Sequence, residues 1–138
     1  MKFAGSCLCG TVKFQVNGNP LKFYTCHCSR CQKETGSAFA SNLIFSLDAV
    51  EWTSGQAGVT RYEHSASEFF CSDFCSICGS TVAYLGRRRE FYIVPAGSLD
   101  EKPELHASAR IFWKDRPDWI DEAMRAPAYD GYWDQDAT

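Results

Sequence analysis

The chain has little net charge, no long apolar run and no repetition, and each of these shortages excludes a class of function. A formal charge of −3 over 138 residues supplies no basic field of the kind that holds a phosphate backbone, so nucleic acid is not an expected partner. No apolar stretch approaches the length of a membrane span. The opening Met1-Lys2-Phe3-Ala4-Gly5-Ser6 lacks the apolar segment of a secretory signal, and the expected location is the cytoplasm. There is no internal repeat, low-complexity tract or long linker. Hydrophobic residues make up 45% of the chain, enough for a core, and a single domain over residues 1–138 is expected, ordered over about 3–133 with a flexible tail at 134–138.

Helical periodicity is scarce as well. Val12, Phe14 and Val16 alternate with Lys13, Gln15 and Asn17, the period-two pattern of a half-buried strand that ends at the turn Asn17-Gly18-Asn19-Pro20. Turn signals recur about every ten residues. Further strands are expected near 21–25, 39–45, 50–53, 59–62, 81–84, 91–95 and 109–113. A short helix is expected over 29–35, stopped by Gly36, and another turn or two over 118–123 after Pro117. The expected class is mainly β, with one or two short helices.

Cysteine, by contrast, is abundant. Eight cysteines fall into three clusters, Cys7-Leu-Cys9, Cys26-His-Cys28-Ser-Arg-Cys31 and Cys71-Ser-Asp-Phe-Cys75-Ser-Ile-Cys78-Gly79. Thiolates are soft ligands that select zinc or iron–sulfur clusters, and short spacings let neighbours share an ion at little chain-closure cost. A reducing compartment disfavours the rival reading as four disulfides. The regular multi-cysteine run of ferredoxins is missing, which favours zinc over an iron–sulfur cluster. Structural zinc sites use four protein ligands, whereas catalytic sites use three and keep the fourth position open. The count fits one of each: Cys7, Cys9, Cys75 and Cys78 as a closed staple, and Cys26, Cys28 and Cys31 as an open site. On an extended segment Cys7 and Cys9 share a face, as do Cys26 and Cys28, with Leu8 and His27 turned away. Cys71 is left over; it reads as a strand residue that could close the middle site.

These stretches resemble the glutathione-dependent formaldehyde-activating enzyme family, which includes centromere protein V. The resemblance rests on Gly5-Ser-Cys-Leu-Cys-Gly-Thr-Val-Lys-Phe, Cys26-His-Cys-Ser-Arg-Cys-Gln-Lys-Glu-Thr-Gly-Ser-Ala-Phe, Phe74-Cys-Ser-Ile-Cys-Gly, Pro95-Ala-Gly-Ser-Leu-Asp and the tail from Arg110-Ile-Phe to Tyr129-Asp-Gly-Tyr. It implies several coiled, mostly antiparallel sheets built around two zinc ions, with Cys26, Cys28 and Cys31 catalytic and Cys7, Cys9, Cys75 and Cys78 structural. It also implies a carbon–sulfur lyase acting on a small-molecule thiol adduct such as S-hydroxymethylglutathione, by thiolate exchange at the open site. Arg110 and the extra Cys71 depart from the family pattern.

The remaining candidates carry blander expectations. His27 suits packing beside the cluster, and Arg30 and Lys33 would meet a carboxylate if they are not simply solvated. Arg87, Arg88 and Arg89 read as an exposed turn, His64 and His106 as surface, and Trp52, Trp113, Trp119 and Trp133 as core. Two other functional classes stay open: a non-catalytic zinc module that binds a protein partner, with both ions saturated, and a reductase using Cys71 as its nucleophile.

Overall fold

A computed structural model describes residues 1–133, and the expected tail at 134–138 lies outside the described residues. Ten strands and two short helices follow in the order β1 (Lys2–Ser6), β2 (Lys13–Asn17), β3 (Lys22–Cys26), α1 (Ser29–Thr35), β4 (Ala40–Phe45), β5 (Val50–Ser54), β6 (Val59–Glu63), β7 (Cys71–Cys75), β8 (Tyr84–Leu85), β9 (Tyr92–Pro95), β10 (Ala109–Ile111) and α2 (Ile120–Ala123). They form three sheets, ordered β1-β2-β5, β10-β3-β4-β9-β8 and β6-β7. The protein is mainly β, as the alternation and turn spacing implied.

Most pairs are antiparallel, but β10 runs parallel to β3, with Ile111 opposite Cys26. A parallel neighbour so far along the chain needs a long crossover, which no local turn signal announces. The expected strand over 109–113 stops at Ile111 because Phe112 turns into the left-handed region at φ 53°. Trp113–Asp115 then form a 3-10 turn. The expected strand over 81–84 is likewise reduced, to a single bridge between Thr81 and Phe74 followed by Tyr84–Leu85. Two strands that alternation did not reveal, β1 and most of β7, have irregular burial along their length rather than one buried face.

The main core gathers Val12, Phe14 and Val16 from β2 and the segment before it, Leu43 and Phe45 from β4, Val82, and Val94 from β9. Cys7 and Cys75 belong to the same cluster, so one cysteine group is built into the core wall. Trp52 closes this cluster edge-on to Phe14 at 5.8 Å. Trp119 and Trp133 do not join it. They are 54% and 81% exposed on the C-terminal segment, largely uncovered by the other described residues. A second, smaller cluster surrounds Cys26, Cys28 and Cys31 with Tyr24, Ala40, Phe70 and Ile111.

Helix α1 is capped at its start by Cys28, whose sulfur accepts from the Cys31 amide, and at its end by Gly36 in the left-handed region at φ 63°, where a side chain would be strained. The β6-β7 ribbon is tied to the five-stranded sheet by Arg61. Its guanidinium donates to the Leu85 carbonyl at 2.9 Å and pairs with Asp73 at 3.3 Å. Among the described residues no helix is long and apolar enough to cross a membrane.

Candidate metal and substrate site

Seven of the eight cysteines gather into two groups, in each of which the sulfurs all lie within 4.8 Å of one another. One is Cys7, Cys9, Cys75 and Cys78; the other is Cys26, Cys28 and Cys31. No histidine or carboxylate among the described residues joins either group.

In the four-cysteine group the segment around Cys9 is a turn, not the extended strand expected. The Gly10 amide donates to the Cys7 carbonyl, and the Cys7 amide donates to Val12. The turn brings the two thiols to 3.5 Å. The partner knuckle folds by the same device, with the Gly79 amide donating to the Cys75 carbonyl at 2.8 Å and Gly79 at φ 74°. The sulfurs of Cys9 and Cys75, 66 residues apart, stand 3.8 Å from each other. Four sulfurs each about 2.3 Å from one tetrahedral ion would be about 3.8 Å apart, close to the 3.5 and 3.8 Å seen here, so this donor set fits zinc. The hydroxyl and amide of Ser80 hold Cys78 down to about 5. The Thr11 hydroxyl and amide likewise hold Cys9 below the ordinary thiol range.

The three-cysteine group sits where the end of β3 runs into α1. All three sulfurs are buried. A hydrogen bond from Cys31 holds Cys26 down to about 6, helped by Cys28 and by the Arg30 guanidinium. The same bond and burial push Cys31 strongly upward. A buried cluster of three convergent thiols is a donor set that a soft cation would complete. Cys71 stands apart from it. Its thiol lies 3.6 Å from the Leu85 carbonyl, and burial pushes it above the ordinary range. That position supports neither a fourth ligand nor a reactive nucleophile, which requires a thiolate.

His27 is turned away from the thiols, as strand alternation implied. It is 1% exposed, between Phe39 at 5.1 Å and Trp113 at 5.0 Å, with Nε2 at 3.1 Å from Thr25 Oγ1. Burial lowers its basicity, as do Arg110 and Arg116, both stacked on Trp113. It packs the back of the site.

The front is a cleft of about 670 Å³. One wall is the face of α1 that carries Ser29, Arg30, Lys33 and Glu34. The other is the β6-β7 ribbon, where Tyr62 lies opposite Ser72 in register and His64 and Phe70 follow at its end. Phe70 also packs against the three-cysteine cluster, so the cleft and the cluster share one side chain. Arg30 and Lys33 make no ion pair among the described residues, and Arg30 Nε is buried without a partner. Glu34 accepts a hydrogen bond of 2.6 Å from the Thr81 hydroxyl.

Two expectations are corrected here. His64 is not a free surface residue, because it is half-buried in the cleft wall with Nδ1 2.9 Å from Tyr62 Oη. Arg87 is not a solvated turn residue either. Its guanidinium donates to the carbonyls of His64, at 2.8 Å, and Ser67, pinning the loop that carries His64. His106 is exposed, as expected.

The sequence pattern of the family described as glutathione-dependent formaldehyde-activating enzyme matches residues 2–115. The chain belongs to this family. A Halomonas elongata protein named "Putative glutathione-dependent formaldehyde-activating enzyme" is 28% identical over 132 residues, covering 91% of this chain and 83% of its own. An uncharacterised lyase of Schizosaccharomyces pombe is 25% identical over 130 residues, covering 93% of this chain and 90% of its own. A crystal structure of a Rhodobacter sphaeroides protein shares the fold, with a TM-score of 0.62 at 24% identity over 80% of this chain and 99% of that one.

Proposed function

We propose that the protein is a carbon–sulfur lyase of the cytoplasm that forms and cleaves the adduct of glutathione, or a thiol like it, with formaldehyde. The observation that carries this reading is a three-sulfur group that shares Phe70 with a cleft lined by two cations without an ion pair among the described residues, in a chain of this family. Cys26, Cys28 and Cys31 would hold a zinc ion with one open position, while Cys7, Cys9, Cys75 and Cys78 would hold a second, structural ion. Zinc at the open site would supply a cationic position that favours the thiolate form of a bound thiol.

The chain's own residues supply recognition. Glutathione carries two carboxylates and one ammonium group. Arg30 and Lys33 offer two cations and Glu34 one anion along a single helical face, a match in sign and number. The apolar rings of Phe70 and Phe74 line the same cleft and reduce the water around the reacting carbon. Holding thiol and aldehyde together in this space converts a bimolecular encounter into a local one. A binding module with saturated ions would have no use for cations turned into a cleft beside a three-thiol group.

Exchange NMR on glutathione and formaldehyde, with and without the zinc-loaded protein, tests the reading. The expected result is faster exchange between free formaldehyde and its thiol adduct, saturating with glutathione. No acceleration with two zinc ions bound per chain would overturn it.

A further inference from the structure

Cleavage of a hydroxymethyl thioether requires that its hydroxyl proton be removed as the carbon–sulfur bond breaks, and formation requires that a proton be returned to the same oxygen. The cleft holds five titratable side chains for this work: Arg30, Lys33, Glu34, Tyr62 and His64. Arg30 and Lys33 are cations that bind rather than accept protons. Glu34 is engaged by the Thr81 hydroxyl at 2.6 Å. His64 has one ring nitrogen engaged, Nδ1 at 2.9 Å from Tyr62 Oη, which leaves Nε2 available to a ligand.

Resting on the lyase reading above, we propose that His64 is the general acid and base of the reaction and that Tyr62 is its positioning residue. In cleavage the adduct's hydroxyl gives its proton to His64 Nε2, the oxygen electrons form the carbonyl of formaldehyde, and the carbon–sulfur pair leaves on sulfur as thiolate. In formation the thiolate attacks formaldehyde and the imidazolium returns the proton to the alkoxide. Through both directions Nδ1–H is donated to the Tyr62 oxygen, which fixes the tautomer.

Three further observations support this arrangement. Tyr62 lies in β6 and His64 directly follows its last residue, and both side chains line the cleft. The ring of His64 packs edge-on to Phe70 at 6.3 Å, and Phe70 in turn packs on Cys26, Cys28 and Cys31. The His64 backbone is fixed on both sides, its amide donating to the Phe70 carbonyl at 3.1 Å and its carbonyl accepting from Arg87 at 2.8 Å. A surface histidine needs no such support, whereas a proton-transfer group held within tenths of an ångström does.

The test compares wild-type protein, His64→Gln and Tyr62→Phe, each zinc-loaded, by exchange NMR at saturating glutathione and formaldehyde, with glutathione affinity measured separately by calorimetry. His64→Gln is expected to lower kcat about 10²-fold or more, the lower end of the usual general acid–base contribution. Glutathione affinity and zinc content should stay within twofold, and added imidazole should restore part of the rate. Tyr62→Phe should lower kcat by a smaller factor without changing affinity. An active wild-type protein whose His64→Gln variant keeps its kcat, or loses rate only through weaker binding, would overturn this inference and leave the lyase reading standing. A wild-type protein without activity would overturn both.

Discussion

Replacing Cys75 by alanine is expected to abolish the cooperative unfolding transition of the zinc-loaded protein. Cys75 is 1% exposed and lies in the main core with Cys7, Val12 and Val82. Its sulfur stands 3.8 Å from that of Cys9, so an ion shared with Cys7, Cys9 and Cys78 would tie the knuckle of residues 75–79 to a turn 66 residues earlier in the chain. Structural zinc in small domains contributes about 10–16 kcal/mol of apparent binding free energy at neutral pH. A protein of this size has a net stability of about 5–15 kcal/mol. Removing one of four ligands therefore threatens the whole margin, and the three remaining sulfurs would repel one another without a fully bound cation. Urea titration followed by circular dichroism checks this. A Cys75→Ala protein that unfolds at the wild-type midpoint would show that the four-sulfur group is not what holds the turn and the knuckle together.

Cys31→Ala is expected to give the opposite pattern, a folded protein with little activity. Cys31 belongs to the small cluster formed by β3, α1 and Phe70, away from the main core. Loss of its buried side chain should cost about 1–2 kcal/mol, the range of an ordinary core truncation. Activity should fall on the order of 10³-fold, because several kcal/mol of charge stabilisation goes with the site. Zinc content should drop by one ion per chain. Mass spectrometry under native conditions, beside the exchange assay, reads both. Equal unfolding of Cys31→Ala and Cys75→Ala would erase the division between a structural and a reactive group.

The sequence made local features legible and left distant ones hidden. Two-residue alternation placed β2, and the Gly36 stop placed the end of α1, because each depends on residues within one turn or one strand. The gathering of seven cysteines into a group of four and a group of three was also legible. Chelating spacings are local, and the count permits few partitions. The parallel pairing of β10 with β3 was not, since it joins segments some 85 residues apart with no local turn between them. Nor was the cleft. It forms only where α1 faces the β6-β7 ribbon, and no property of either segment announces the other. His64 was passed over for this reason. Its one sequence signal is the Tyr62-Glu63-His64 pattern at a strand end, two hydrogen-bonding rings on one face, which gains meaning only when the opposite wall is known. Arg87 was misread similarly, since a run of three arginines looks solvated until one of them is found holding the loop at His64 and Ser67.

Cadmium-113 NMR of the cadmium-substituted protein, titrated with glutathione, tests most directly whether a three-sulfur site takes up the substrate thiol. Two resonances are expected, one from each cysteine group. The resonance lost in Cys31→Ala should move with glutathione to a position typical of four thiolates, while the other stays fixed. Two resonances that both ignore saturating glutathione would mean that the three-sulfur site does not accept the thiol, and the lyase reading would fall with it.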